Sequence, residues 1–384
     1  MFKANIRFVF LMIFSLCAMS VQASSLIPAA PQIAARAYVV MDADTGKVIA
    51  QKNADTAFPP ASLTKLMTSY VLDYELGKGN ITKQDLVLIS EKAWRTGGSR
   101  MFVREGTQVK LEDLMKGIII QSGNDASVAV AEHIAGSETA FADLMNQHAD
   151  LLGMKNSNFM NATGLPKEGH VSSAMDMALL ARAIIMDYPE HYGIYSEKYF
   201  TYNKIRQPNR NKLLWRDKTV DGLKTGHTDA AGFCLVASAK RDGMRLISVV
   251  MGTNSEEARA QESQKLLSYG FRYYRTHQLY NANETLSNAT VWSGARDQLR
   301  VGLADPLAVT IPRGQVDQLE AVMDIDQVIK APITKGDVYG KVNILLNGEL
   351  VEEVPLVALE DIQPAGLLKR IWHAIMLFFI GLIG

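Results

Sequence analysis

Apolar residues recur along this chain with two periods, and the period changes with position. Leu63, Leu66, Met67, Tyr70, Val71 and Tyr74 return every three or four residues, the spacing of one buried helix face. Leu111, Leu114, Met115, Ile118 and Ile119 repeat that spacing, so a second helix is predicted there. Elsewhere the period falls toward two. "AYVVMDADTGKVIAQ" (37 to 51) sets two short apolar runs around Asp-Ala-Asp-Thr-Gly, a predicted hairpin. Runs around Phe233–Ala239 and Leu246–Met251 meet across Asp242-Gly243, a hairpin signal because both turn positions need positive φ. Helices mixed with antiparallel hairpins predict an α/β (α+β) unit, an antiparallel sheet flanked by helices.

The texture changes near Thr276. From there to about Leu359 helical spacing is nearly absent, and short β-like runs such as "LAVTIP" and "KVNILL" replace it. Asn347-Gly348 joins "KVNILL" to "ELVEEVPLVAL" as the strongest hairpin signal in the chain. A first domain over 28–276 and a small all-β domain over 277–362 are therefore expected. The final segment, 363–384, differs again. Lys369, Arg370 and His373 sit near its start, and beyond His373 every residue is apolar or glycine. That run is too short for the roughly 18 residues a spanning helix wants. It predicts an amphipathic helix lying in a membrane interface, its basic residues at anionic headgroups and Trp372 at the boundary. At the other end, Lys3 and Arg7 precede an apolar run from Phe8 to Ala18, and Val21-Gln22-Ala23 offers small residues for cleavage. Residues 1–23 thus read as a secretory signal peptide cut after Ala23.

Composition changes this picture little. The 384 residues suit two domains, and 48% hydrophobic content can fill a large core. Lys plus Arg equals Asp plus Glu at 40 each, which argues against nucleic acid or a strongly acidic partner. Cys17 would leave with the signal peptide, so Cys234 remains alone, in an apolar run that marks a core residue rather than a nucleophile. His and Cys clusters at metal-ligand spacing are absent, so no metal is expected.

"PPASLTKLMT" (59 to 68) holds candidate chemistry. Ser62 and Lys65 lie three apart, on one face of a helix whose start Pro59 and Pro60 help to set. In the first turn, unpaired N–H groups and the dipole favour a developing anion at the serine. Lysine is a poor base while charged, so burial or a second cation must lower its pKa. A Ser-x-x-Lys arises by chance roughly once or twice in a chain this long, so the motif alone decides little. Ser122-Gly123-Asn124 follows the second helix and can aim a hydroxyl and an amide into the same cleft. Lys224-Thr225-Gly226 precedes the later strand pair. There lysine and threonine could hold a carboxylate, and glycine could let a substrate backbone approach.

In this order and at these separations, the three elements resemble the signature of penicillin-binding proteins and serine β-lactamases. "PPASLTKLMTSYVL", "QSGNDASVAVAEHIAGS", "NATGLP", "NRNKLLW" and "VDGLKTGHTDAAGFCLVASAKRDGMRLISVVMG" look like the low-molecular-weight D-alanyl-D-alanine carboxypeptidases. The resemblance implies a β-lactamase/transpeptidase-like catalytic domain with a β-rich second domain and a terminal anchor. By that resemblance Ser62 is acylated by the penultimate D-alanine of a peptidoglycan stem peptide, and Lys65 is its base. Ser122 passes a proton to the departing D-alanine, and Asn124 holds substrate and orients Lys65. Lys224 and Thr225 of the motif closed by Gly226 receive the terminal carboxylate, and Lys224 supplies the second cation. The backbone N–H groups of Ser62 and His227 form the oxyanion hole, and Arg210 and Arg259 support the carboxylate end. No cofactor is implied. β-Lactam antibiotics are expected as ligands, and the anchor is expected to meet lipid on the periplasmic face of the inner membrane.

Three other readings share these residues. Endopeptidase or transpeptidase activity on the same substrate differs only in the acceptor that reaches the acyl-enzyme. A class A β-lactamase needs a Glu-x-x-Leu-Asn glutamate, absent between Asn124 and Lys224, and normally Asp where Gly123 stands. A non-catalytic wall-binding protein would have no reason to keep Ser62, Lys65 and Lys224 together. Thr163 stands where some relatives carry histidine, and nearby His170 does not match that position.

Overall fold

Alternation along the first strand sets the layering of the first unit. In β1 (Ala37–Asp42), Val39 and Met41 enter one buried cluster while Tyr38 and Val40 enter another. Successive side chains on a strand point to opposite faces, so both faces of this sheet are covered. The computed structural model describes residues 27–383, and the expected signal peptide at 1–23 lies outside them. β1 pairs antiparallel with β2 (Val48–Lys52) in the expected hairpin. Asp42 Oδ1 stiffens the turn by accepting from the N–H groups of Asp44 and Thr45.

Three later strands complete the sheet: β3 (Val220–Thr228), β4 (Gly232–Arg241) and β5 (Met244–Thr253). Their order is β2-β1-β5-β4-β3, antiparallel throughout, which leaves β3 at one edge. Asp242 and Gly243 turn between β4 and β5 at φ 48° and 85°, the paired positive values expected of them. One face packs against α1 (Thr64–Gly77), α2 (Asn124–Ala135) and α3 (Ala174–Asp187), whose apolar residues share a cluster with Val39, Val236 and Val249. The other face is closed by α4 (Glu256–Tyr273) through Ala260, Leu266, Leu267 and Phe271. Cys234 is fully buried in the first of these cores.

No loop separates α4 from the β-rich part. Tyr274 turns extended at φ −122°, ψ 159°, and opens the strand Tyr274–Tyr280. The expected division at 276/277 therefore falls inside a strand. That strand pairs with Leu307–Pro312, and a six-stranded sheet beside it includes Val338–Leu346 and Glu349–Ala358. Asn347 and Gly348 join the last two at φ 54° and 81°. Val291, Val301, Val342, Ile344 and Leu356 form a separate core there. Thr276 donates its hydroxyl to Asp42 Oδ2, and the Thr45 and Thr310 hydroxyls lie 2.7 Å apart, which ties the two parts together.

The terminal helix spans Leu367–Ile383. Its first turns dock on the β-rich part, where Ser293 N–H donates to His373 Nδ1 (2.8 Å) and Lys369 pairs with Asp297 (2.7 Å). Trp372, Phe378 and Phe379 are exposed. Among the described residues no helix is long and apolar enough to cross a membrane.

Candidate active site

The chain enters the site through Pro59 and Pro60, and Leu63 N–H donates to Pro60 O to close a 3₁₀ turn over Ala61–Leu63. Ser62 sits in that turn rather than in the first turn of α1, which begins at Thr64. Ala61 takes φ +48°, a conformation non-glycine residues rarely adopt, and it aims the following serine at the cleft. Lys65 remains one turn away. Its buried Nζ donates to Ser62 Oγ (3.2 Å), to Asn124 Oδ1 (2.7 Å) and to the Thr163 carbonyl. Asn124 Nδ2 donates in turn to Gly97 O (2.7 Å), which fixes which end of the amide faces the lysine.

Ser122 arrives by a different device. The predicted second helix is α-helical only over Leu111–Lys116, then widens into a π-turn over Gly117–Gln121. Ser122 follows at φ +66°, and α2 starts at Asn124. The widened turn and left-handed residue bring Ser122 Oγ within 2.9 Å of Lys224 Nζ, which donates to it and to Thr225 O. Asp125, next along, is buried. Its carboxylate accepts from Met101 N (2.9 Å), Phe102 N (2.8 Å), Val103 N (3.2 Å) and its neighbour Ala126 N (3.0 Å), pinning the segment after Gly97 beside the site.

Lys224, Thr225 and Gly226 lie inside edge strand β3 and are buried. A Cβ on Gly226 would sit 3.0 Å from Pro60 O and 3.2 Å from Leu63 N. The bare face of this glycine therefore seats β3 on the serine turn, a use distinct from the substrate approach expected of it. His227 is exposed and stacks on Phe233, ring centroids 4.0 Å apart. Arg259, on α4, is buried and donates to Gly226 O (3.2 Å), so it braces β3 from below. Arg210 is exposed at the mouth and makes no hydrogen bond or ion pair among the described residues.

Burial pushes the Lys65 ammonium down to about 7, the Arg210 charge adds to the effect, and Asp125 opposes it. Lys224 is also held well below the ordinary lysine range, first by burial and then by the charges of Lys65, Arg210 and Arg259. Repulsion between Lys65 and Lys224 is mutual, and Arg210 adds a further cation acting on both, beyond the Lys224 that the resemblance implied. Among the described residues no carboxylate hydrogen-bonds to Ser62 or Lys65.

Residues 24–255 match the family described as D-alanyl-D-alanine carboxypeptidase, peptidase S11. The chain belongs to that family. Residues 274–364 match the penicillin-binding protein 5 C-terminal domain. D-alanyl-D-alanine carboxypeptidase DacC of Escherichia coli K12 is 45% identical over 358 residues, 91% of this chain and 90% of the relative. DacA of Haemophilus influenzae is 44% identical, covering 92% and 91%. Among solved structures, penicillin binding protein 5 from Haemophilus influenzae superposes with TM-score 0.84 at 44% identity, over 88% of this chain and 99% of that one. Penicillin-binding protein D2 from Listeria monocytogenes, in its ampicillin-bound form, gives 0.58 at 30% identity, over 63% and 100%.

This carboxypeptidase, a serine-type hydrolase, holds its lysine with groups that sequence reasoning missed. The Thr163 carbonyl is one, offered by backbone and so invisible as a motif. Gly164 makes its approach possible: it takes φ +80°, and the Ala61 carbonyl oxygen fills the place where a Cβ would lie, so no other residue fits. His170, given no role from sequence, is buried behind this loop. Its Nδ1 accepts from Met160 N–H (3.0 Å), which leaves Nε2–H to donate to Thr64 Oγ1 (2.7 Å). Burial, with the Lys167 and Lys65 charges, pushes its pKa to about 4, so the ring is a neutral strut between the loop and α1.

Proposed function

We propose that this carboxypeptidase removes the terminal D-alanine from peptidoglycan stem pentapeptides through an acyl-enzyme on Ser62, and that β-lactams acylate the same serine. The observation that carries this reading is the contact set of Lys65. A neutral amine has two N–H groups, which match Asn124 Oδ1 and Thr163 O, and one lone pair, left facing Ser62 Oγ at 3.2 Å. Held so, Lys65 takes the serine proton as Oγ attacks the penultimate carbonyl. The oxyanion forms between the backbone N–H groups of Ser62 and His227, on segments that Gly226 lets pack together. Ser122, hydrogen-bonded to Lys224, relays the proton that Lys65 took from Ser62: its hydroxyl gives one proton to the departing amine as it receives another. Thr225, Lys224 and the free Arg210 receive the substrate carboxylate, while Arg259 positions β3. Water then releases the shortened peptide.

Carboxypeptidase action is favoured over endopeptidase action by coverage. The carboxypeptidase relatives align over about nine-tenths of this chain, whereas a D-alanyl-D-alanine endopeptidase of Pseudomonas aeruginosa aligns over 55%. Intact-mass measurement after penicillin, paired with D-alanine release from a stem-peptide mimic, tests the reading. One penicilloyl adduct and free D-alanine are expected; no adduct and no release would overturn it.

The same reading assigns residues 28–276 to catalysis, 277–362 to a stalk and 363–384 to an anchor. It places the enzyme, exported by the segment 1–23, on the periplasmic face of the inner membrane. Support comes from the exposed apolar side chains of the terminal helix, Trp372, Phe378 and Phe379 among them, which nothing in the chain covers among the described residues. Deleting residues after Pro364 should release soluble protein that still cleaves small peptides. If both forms fractionated as soluble, the anchor would be wrong.

A further inference from the structure

Ahead of β3 the chain forms a short antiparallel hairpin, Tyr199–Tyr202 paired with Ile205–Pro208. Phe200 and Gln207 stand opposite one another and are buried, so Tyr199, Thr201, Arg206 and Pro208 face solvent. The helical turn Leu213–Arg216 adds Trp215 to that outer face. Its ring stands at 83° to Tyr199 with centroids 6.0 Å apart, and the two residues are 41% and 44% exposed. Arg206 lies over the Tyr199 ring at 3.8 Å, and Lys198 approaches Trp215 at 6.0 Å. The side chains of Lys198, Lys204, Arg206 and Arg210 make no hydrogen bond or ion pair among the described residues. Glu197, Glu256 and Glu257, the carboxylates on the adjoining segments, already pair with Lys116, Lys212 and Arg216.

This aromatic face is fixed to the cleft. Buried Asn209 donates to Glu197 O (3.1 Å) and accepts from Asn211 N–H (3.0 Å). Asn211 Nδ2 donates to Gly222 O (2.9 Å), on β3 two residues before Lys224. Arg210 lies between the two asparagines, and in the reading proposed above it takes the substrate carboxylate. The aromatic face therefore begins where the stem peptide ends. Two rings offer too little area for a stable protein interface. Set at right angles and rimmed by cations, they suit a ligand that is apolar on the flat of a ring and polar around its edge. A pyranose has that form: its C–H groups meet the electron-rich aromatic face, while acetamido groups accept from Arg206 or Lys198. The uncompensated positive charge also suits a polymer whose stem peptides bear carboxylates. We propose that Tyr199 and Trp215 form a second wall-binding site, which takes the N-acetylated amino-sugar rings of a glycan strand. Its place beyond the carboxylate end assigns it to a neighbouring strand, since the strand that carries the bound stem lies at the peptide's other end. A modest contact there keeps the cleft among many stems and raises their effective concentration. The inference rests on the carboxypeptidase reading.

The test uses the full chain in detergent with two probes: insoluble glycan strands stripped of stem peptides by an amidase, and a soluble pentapeptide ending in D-alanyl-D-alanine. The wild type should co-sediment with the stripped glycan, and soluble N-acetylglucosamine oligomers should displace it. Trp215→Ala and Tyr199→Ala should each weaken retention roughly fivefold, the worth of one aromatic contact, and Trp215→Phe, which keeps a ring, should weaken it less. All three should release D-alanine from the pentapeptide at the wild-type rate, which also shows that they fold. Wild-type protein that ignores the stripped glycan, that the oligomers fail to displace, or that is retained no better than both alanine variants would overturn the site and leave the carboxypeptidase reading standing. Retention only on peptide-bearing wall would also overturn it, because the stem and not the sugar would be the ligand. Wild-type protein that frees no D-alanine from the pentapeptide would overturn the carboxypeptidase reading and this inference with it.

Discussion

In the cleft, Lys65 and Lys224 are buried and neither touches a carboxylate among the described residues; their partners are hydroxyls, an amide and backbone carbonyls. In the β-rich part, Glu360 lies between Arg296 and Arg300, Lys341 pairs with Glu353, and every one of these cations is exposed. The contrast separates two uses of charge. A buried cation with no counter-ion is costly to keep protonated, so it becomes a base near neutral pH. A solvated pair keeps its charges and adds little stability, so the β-rich part depends on its apolar core instead.

The largest expected effect comes from removing the buried base. Lys65→Arg puts a guanidinium, which does not give up its proton, where a neutral amine is needed, and penicillin acylation should fall at least about 10³-fold. Ser62→Ala should abolish the adduct altogether. Stopped-flow or intact-mass kinetics would show it. A Lys65→Arg protein acylated at the normal rate would place the base elsewhere and erase the contrast between the two regions.

Acidity should sharpen the comparison. Acylation requires neutral Lys65, whose pKa is lowered to about 7, so its rate should climb about tenfold per pH unit below that value and flatten above it. Arg210→Gln removes a cation that disfavours protonation of Lys65, so the acidic limb should move to higher pH. A limb that stayed in place would mean that Arg210 has no part in setting the lysine. The acylation rate against pH, measured with both proteins, decides between the two.

Asp125→Asn comes next in size. The carboxylate accepts from four backbone N–H groups in a buried site, and an amide presents two donors of its own to some of them. A loss of about 3 kcal/mol in urea unfolding is expected, with weaker acylation because Asn124 adjoins the loosened segment. An unchanged urea midpoint would remove Asp125 from the supports of the cleft.

Legibility followed the same divide between side-chain pattern and backbone. Hairpins at Asp242-Gly243 and Asn347-Gly348 were readable because each turn demands positive φ at both central residues, which few residue types tolerate. Ser62, Lys65, Ser122 and Lys224 were readable because their chemistry lies in their side chains and their spacing in short motifs. The turn that displaces Ser62 from α1 was not, since Ala61 is an ordinary residue whose left-handed φ is imposed by packing. Nor was the π-turn at Gly117–Gln121, whose apolar spacing matches an α-helix. The Thr163 carbonyl and the Arg210 charge reach Lys65 from distant stretches of chain, and no local pattern announces a contact across 98 residues.

The smallest effect is expected where the ion pairs are most numerous to the eye. Glu360 accepts from Arg296 Nη1 (2.9 Å), Arg300 Nη2 (3.3 Å) and Arg300 N–H (3.2 Å), and a reader counting contacts would expect a large loss from Glu360→Gln. The arginine side chains are 56% and 54% exposed, however, so water already solvates both charges and salt screens what remains. Glutamine can still accept from the backbone N–H of Arg300. The substitution should therefore cost under about 1 kcal/mol, less still at high salt, and leave the acylation rate unchanged. Urea unfolding at low and high salt, with penicillin acylation measured in parallel, checks both parts. A loss of several kcal/mol that persisted in high salt would show that charge in the β-rich part bears on stability as it does around Asp125. A fall in acylation would show that the two regions communicate through the contacts of Thr276 with Asp42 and Thr45 with Thr310.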